Sequence, residues 1–469
     1  MRIRTLRAPL HTRTLLLAAV LAASSAARLA AQAQANGPLP GPLPLFPADN
    51  WWNHDVSAAP LDPGSAAFID YIGRTSSLHP DFGGDVEPGN AANPESYGFP
   101  YASVPGGQPL VPVTFVEFGD ESDAGAPGRP TGYPIPSEAK AQPHWIEGGW
   151  AGDDGRADGD RHLLIVDRDN RLLYELYHVA WTGGRWEAGS GAVFKLTTND
   201  RRTEGWTSAD AAGLAIFPGL VRYDEVFGPD PIRHAFRLTV RRTNGHVWPA
   251  SHTAGGSPGA LPLGARLRLK ASKDISGFPA YVQKIFQAMK TYGVLVADNG
   301  SDGYVQGTYD RRWDNDVLNP AFAALEIGDF EVVKLGWNPS GGGGGGGGGG
   351  FHPLPLCHLL DTRARPGEGG GPPLAPNGPR TLLAVGRCGV PAGAQAIAAN
   401  VSVLQAKRPG TLQLYAEGAT PGSGLELGFR SGRSRFNGQR VPLAGDGAFT
   451  ARAVTTRAVQ LLVDVVGYW

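Results

Sequence analysis

The chain has 469 residues, with 42 Lys plus Arg against 43 Asp plus Glu, and it is rich in glycine (67) and proline (40). The balanced charge, with no basic stripe on any predicted element, argues against a nucleic-acid partner. Glycine and proline at this level favour short strands and turns over a helical bundle, and the length allows two or three domains with cores of their own.

At the N-terminus, Arg2, Arg4, Arg7 and Arg13 flank the apolar stretch 15–23, and small residues follow to Ala33-Gln34-Ala35. This is the pattern of a secretory leader over 1–35, shorter than the roughly 20 apolar residues of a membrane span. The protein is therefore expected outside the cytoplasm, secreted or at the cell surface, with no membrane span. A Gly/Pro/Leu spacer over 36–44 then leads into a main domain over 45–337.

Two short helices are predicted in that domain. One starts at Asp62-Pro63, an N-cap with proline at the first helical position, and carries Ala66, Ile69 and Ile72 on one face. The other starts near Pro279 and spaces Val282, Ile285, Phe286 and Met289 along one stripe. The rest reads as strands, over 110–118, 161–167, 171–181, 234–241, 265–270 and 293–297. The expected fold class is mainly β, a β-sandwich or jelly roll with short peripheral helices.

The hairpin at 160–181 is the most informative segment. Asp169-Asn170 is a turn pair between alternating strands, and a loop centred there sets Leu164 opposite Glu175 and His162 opposite Tyr177. Alternation then puts His162, Glu175 and Tyr177 on one face. Glu175 suits a general acid or base, His162 an orienting partner, and Tyr177 a sugar-stacking ring. The same residues also fit a solvated cross-strand pair.

Further along, Trp206, Asp210, Tyr223, Asp224 and Glu225 lie in a polar, aromatic stretch, where Asp210, Asp224 or Glu225 offers the second carboxylate of a hydrolase pair, with Asp210 or Asp224 the leading choice. For that pairing, the carboxyls must face one cleft with Glu175. Trp51, Trp52, Trp145, Trp150 and Trp206 fall in polar or glycine-rich loops, the kind of ring that binds sugars. His234 sits on an apolar strand face and His252 in a Gly/Pro-rich loop; with His162 they would make a metal or acid/base site only if the three converge, and no metal-ligand spacing links them. Gly255 to Gly259 matches G-x-S-x-G without the strand and helix that motif needs. The run Asp298 to Gly303 has calcium-loop character, but without the distal glutamate. No metal is assigned, and Ca2+ is retained only as an option.

The main domain motifs LFPADNWWNHDVS, DGDRHLLIVDRDNRLLYELYHV, GWTSADAAGLAIFPGLVRYDEV, IRHAFRLTV and YGVLVADNGSD are similar to those of a group of uncharacterised secreted bacterial proteins. That resemblance carries no activity, so function rests on the residues.

Asn338-Pro339-Ser340 and the glycines 341–350 form a tether over 338–350, since polyglycine has nothing to bury and maximal backbone entropy. The last region, 351–469, holds both cysteines, Cys357 and Cys388, which in an exported protein are most simply one disulfide. Its motifs FHPLPLCHLLDTR, Cys388-Gly389-Val390-Pro391, Asn400-Val401-Ser402-Val403 and Asp464 to Trp469 resemble a β-sandwich accessory domain of secreted and surface proteins of actinobacteria and myxobacteria, often found beside cell-wall or polysaccharide hydrolases. The resemblance implies a second, smaller β-sandwich, supports the Cys357–Cys388 pairing, and implies surface attachment or glycan binding. A plain spacer fits it equally.

Three readings stand at this level. The leading one is a secreted, monomeric glycoside hydrolase acting on a polysaccharide or cell-envelope glycan. It takes catalytic groups from Glu175, Asp210, Asp224 and His162, and substrate contacts from Tyr177, Trp206, Tyr223, His252 and Trp145. The second is a noncatalytic, lectin-like surface protein, and the third a metal-dependent hydrolase built on His162, His234 and His252.

Overall fold

The structure, a computed structural model, describes residues 32–125, 129–152, 159–339, 352–367, 369–404, 406–422, 424–432 and 434–469. Most of the expected leader and the polyglycine tract lie outside the described residues. The fold is mainly β, and the described residues form five sheets with four short α-helices.

The hairpin strands Leu163–Asp167 and Leu172–Tyr177 pair with Leu164 opposite Glu175, the register expected from the turn. Local chemistry sets that turn: the Asn170 N–H donates to Asp167 Oδ1 at 2.9 Å, and Arg171 takes a φ of 53°. Ser190–Lys195 extends the sheet on one side. Tyr101–Val104 lies parallel to Leu163–Asp167 on the other and carries Gln34–Ala35 on its outer edge. The spacer that follows is tied along this edge rather than free, with the Tyr101 hydroxyl donating to the Gly37 carbonyl at 2.8 Å.

Alternation sorts the hairpin as expected but does not leave either face open. Leu164, Val166 and Leu173 enter the large core, while Leu163, Ile165, Tyr174 and Leu176 enter a second core with Tyr133, Trp145 and Trp186. The sheet is an inner layer. Glu175 faces the large core with no exposed surface, so the face it shares with His162 is not a groove.

A six-stranded sheet supplies the other side of the large core. Its order is Phe330–Val332, Arg266–Leu269, Val294–Asn299, Phe236–Val240, Tyr304–Gln306 and His79–Asp81, with parallel pairing at 236–240 with 294–299 and at 304–306 with 79–81. The helix Ala280–Thr291 buries Val282, Ile285, Phe286 and Met289 on one stripe, as its spacing predicts. The helix Ser65–Ile72 buries Ile69, while Ala66 is exposed and Phe68 packs against the core in its stead. Of the strand expected over 110–118, Val113–Phe115 forms, paired to Arg185–Ala188.

The C-terminal region has two four-stranded sheets around one core of its own, joining Ile397, Val401 and Val463 from one sheet to Leu412, Leu414 and Phe449 from the other. Cys357 and Cys388 are disulfide-bonded. No described helix is long and apolar enough to cross a membrane.

Candidate functional site

A cleft of about 490 Å³ opens where the edge strand His79–Asp81 meets three loops, 95–99, 147–150 and 159–161. Four carboxylates line it, Asp81, Glu95, Glu147 and Asp160, together with the aromatic rings of Tyr97, Phe99 and Trp150. Tyr97 is 51% exposed at its mouth. Among the described lining residues the one cation is Arg161, whose guanidinium donates to the carbonyls of Val179 and Ala151 at 2.9 and 3.2 Å. Gly149 shapes one wall. Its φ is +85°, and a Cβ there would lie 1.9 Å from the Pro94 carbonyl, so only glycine lets the 147–150 loop close against the 94–96 segment.

Two of the four carboxylates are pushed in opposite directions. Glu147 Oε2 accepts from the His162 backbone N–H at 3.1 Å and from His162 Nδ1 at 2.5 Å. The other ring nitrogen, Nε2, meets the Ala209 carbonyl at 2.9 Å. Both ring nitrogens thus face acceptors, which only the imidazolium satisfies as a double donor. Burial works against that charge, but Glu147 outweighs it and pushes the His162 value up to about 9. Burial likewise opposes ionisation of Glu147, yet the His162 charge and hydrogen bonds hold its carboxyl below the usual range. Asp81 goes the other way, raised by burial and then by the neighbouring Glu147 charge.

Beneath the cleft lies a buried ion network centred on Arg237. This side chain comes from the strand Phe236–Val240, on the face opposite Phe236, Leu238 and Val240. It donates through Nη2 to Asp210 at 2.6 Å, lies 3.7 Å from Asp298, and bonds through Nη1 to Gln306 Oε1. Burial raises Asp210 to about 6 and Asp298 to about 7, with Arg237 pulling both back. Glu175 accepts from the N–H groups of Ile216 and Phe217 at 2.8 to 3.0 Å, and burial pushes it up to about 7.

The sequence-predicted residues are distributed around this site rather than in it. Glu175 and Asp210 have no exposed surface; the first caps the turn Phe217–Gly219 and the second neutralises Arg237, so neither carboxyl faces a cleft. Asp224 is 55% exposed and paired with Arg222 elsewhere on the surface. His162 is drawn to the site, but behind Glu147. Tyr177 packs on it with ring centroids 5.5 Å apart. Trp145 is core, as are Trp51 and Trp52. Trp206 has the guanidiniums of Arg129 and Arg202 over its ring, and Tyr223 stacks on Phe227 and meets Trp313 edge-on. His252 Nδ1 bonds the Ala211 carbonyl at 2.7 Å, and His234 pairs with Glu225 at 3.0 Å. The three histidines therefore have separate partners, and no cluster of three metal-ligating groups forms among the described residues. In the run Asp298 to Gly303, Asp298 accepts from the Asn299 N–H and Asp302 from the Arg241 N–H, both at 2.7 Å.

Sequence reasoning missed Asp81, Glu147, Arg237 and Gln306. One signal was present for Glu147: it sits in Trp145-Ile146-Glu147-Gly148-Gly149-Trp150, a carboxylate between tryptophans and glycines. Asp81 lies in a three-residue edge strand with no alternation to read. No protein-family model matches the chain, and no curated protein matches it.

Proposed function

We propose that the protein is a polysaccharide-directed glycoside hydrolase in which Asp81 donates a proton to the departing glycosidic oxygen and Glu147 acts as the ionised partner. The observation that carries this reading is the pair itself: two carboxyls in one cleft, one biased toward its protonated form and the other fixed as an anion by His162. In the reaction the Asp81 proton passes to the leaving oxygen as the bond to the anomeric carbon breaks. A water, activated by Glu147 or consumed after Glu147 has bonded that carbon, supplies the hydroxyl, and its remaining proton restores the pair. Tyr97 and Trp150 offer ring faces for sugars. An acidic cleft lining disfavours uronate or phosphate polymers, so the favoured glycan is neutral or carries amines.

The test is a panel of neutral, amine-bearing and uronate polysaccharides, reading reducing ends and column retention together. The expected result is product from a neutral or amine-bearing glycan, falling by about 100-fold or more in Asp81→Asn and in Glu147→Gln, with retention kept. Activity should be bell-shaped in pH, its acid limb set by the lowered Glu147 and its alkaline limb by the raised Asp81. Retention without product on every glycan, unaffected by both substitutions, would leave a lectin in place of an enzyme.

A further inference from the structure

Three strands of the six-stranded sheet carry a row of side chains toward the cleft. Gln306 is the register partner of Asp81 in the parallel pairing of 304–306 with 79–81. On its other side Val305 pairs with Leu238, and continuing that antiparallel register by one residue sets Arg237 opposite Gln306. Arg237, Gln306 and Asp81 thus lie side by side across the sheet, and their side chains touch in that order.

The chemistry of this row fixes its polarity. A guanidinium has donors only, so Arg237 claims the amide oxygen of Gln306. The amide nitrogen is then left facing Asp81 Oδ2, at 3.4 Å. Arg237 cannot turn away, because Asp210 and Asp298 hold its other nitrogen and it is fully buried. Gln306 is itself 9% exposed, so its amide is packed in place beside Asp81.

We propose that Gln306 is the positioning residue for Asp81, its amide locked by Arg237 so that an N–H always meets the cleft carboxyl. This rests on the reading of Asp81 as proton donor. The groups facing Asp81 are Glu147, which works against its ionisation, and Gln306, His79 and Arg237, which favour it. Gln306 offsets part of the burial and of the Glu147 repulsion, so that Asp81 can release its proton. It thereby sets how alkaline the medium becomes before Asp81 loses its proton and activity falls along the alkaline limb.

The experiment follows the Asp81 carboxyl directly, by NMR titration of the full chain labelled with carboxyl-13C aspartate. Asp81→Asn identifies the signal. In Gln306→Met the Asp81 midpoint is expected to rise by about one unit or more, the scale of one lost hydrogen bond to a charged group. Gln306→Glu keeps an acceptor for Arg237, and so the fold, while turning a carboxylate toward Asp81; its midpoint is expected to rise further. Melting temperatures near that of the wild type show that the variants are folded. A midpoint unchanged in both folded variants overturns the proposal. On a hydrolysed glycan, the alkaline limb of kcat/KM should move with the midpoint. A moved midpoint with no product from any glycan supports the role of Gln306 toward Asp81 and overturns the hydrolase reading alone.

Discussion

At the residue level, burial that outweighs the pull of nearby Arg237 and His162 is what sets Glu175 apart. Its carboxyl receives N–H groups from Ile216 and Phe217 but no direct ion pair among the described residues, and its value rises to about 7. A raised carboxyl binds its proton more tightly folded than unfolded, so stability falls as pH rises between about 4.5 and 7. Glu175→Gln keeps an oxygen for both N–H groups and has no proton to lose. Thermal melts from pH 5 to 8 should therefore show a flatter decline in this variant, by on the order of 1 to 3 kcal/mol at the alkaline end, with hydrolysis unchanged. His162 runs in the same sense over a higher pH window. Its pairing with Glu147 contributes fully below about pH 6.5 and is lost as pH passes about 9. Pattern reading found His162 and Glu175 because both sit on a strongly alternating hairpin. It assigned them to chemistry because alternation says which residues share a face and nothing about what covers it.

At the level of elements, the site depends on how closely two loops approach. Gly149 holds the 147–150 loop against Pro94 in the left-handed region. Gly149→Ala adds both strain and a clash with a backbone oxygen, which cannot swing aside as a side chain would. The expected outcome is a loss of about 2 kcal/mol or more in denaturant unfolding together with weakened glycan retention, because the displaced loop carries Glu147 and Trp150 into the cleft wall. A variant as stable as the wild type and equally retained would show that the wall is built otherwise. The helix Ala280–Thr291 and the hairpin register were legible in the sequence, since both are strong periodic signals over several residues. The three-residue strands His79–Asp81 and Tyr304–Gln306 were not, because neither is long enough to show a period.

Across the whole molecule, the two β-rich regions have separate cores, and the disulfide belongs to the C-terminal one. Its cysteines lie 31 residues apart, and closing a loop of that length contributes about 3 to 4 kcal/mol through the unfolded chain. Reduction, or the double variant Cys357→Ala with Cys388→Ala, should lower the melting temperature of a transition that leaves cleavage at the cleft intact. Loss of activity in step with reduction would tie the C-terminal region to the chemistry.

Composition and local pattern by themselves determined the mainly β class, the hairpin register, the helix stripe and the cysteine pairing, because each is written in residues close together or in a single pair with no alternative. Tertiary structure alone decided the candidate site. Asp81, Glu147, His162, Arg237 and Gln306 come from five separate segments between positions 81 and 306, and what makes them a site is which of them reach water. Whether a carboxyl ends as proton donor, anion or buried counter-ion depends on solvent access and neighbouring charge, and neither is encoded in the spacing of residues along a strand.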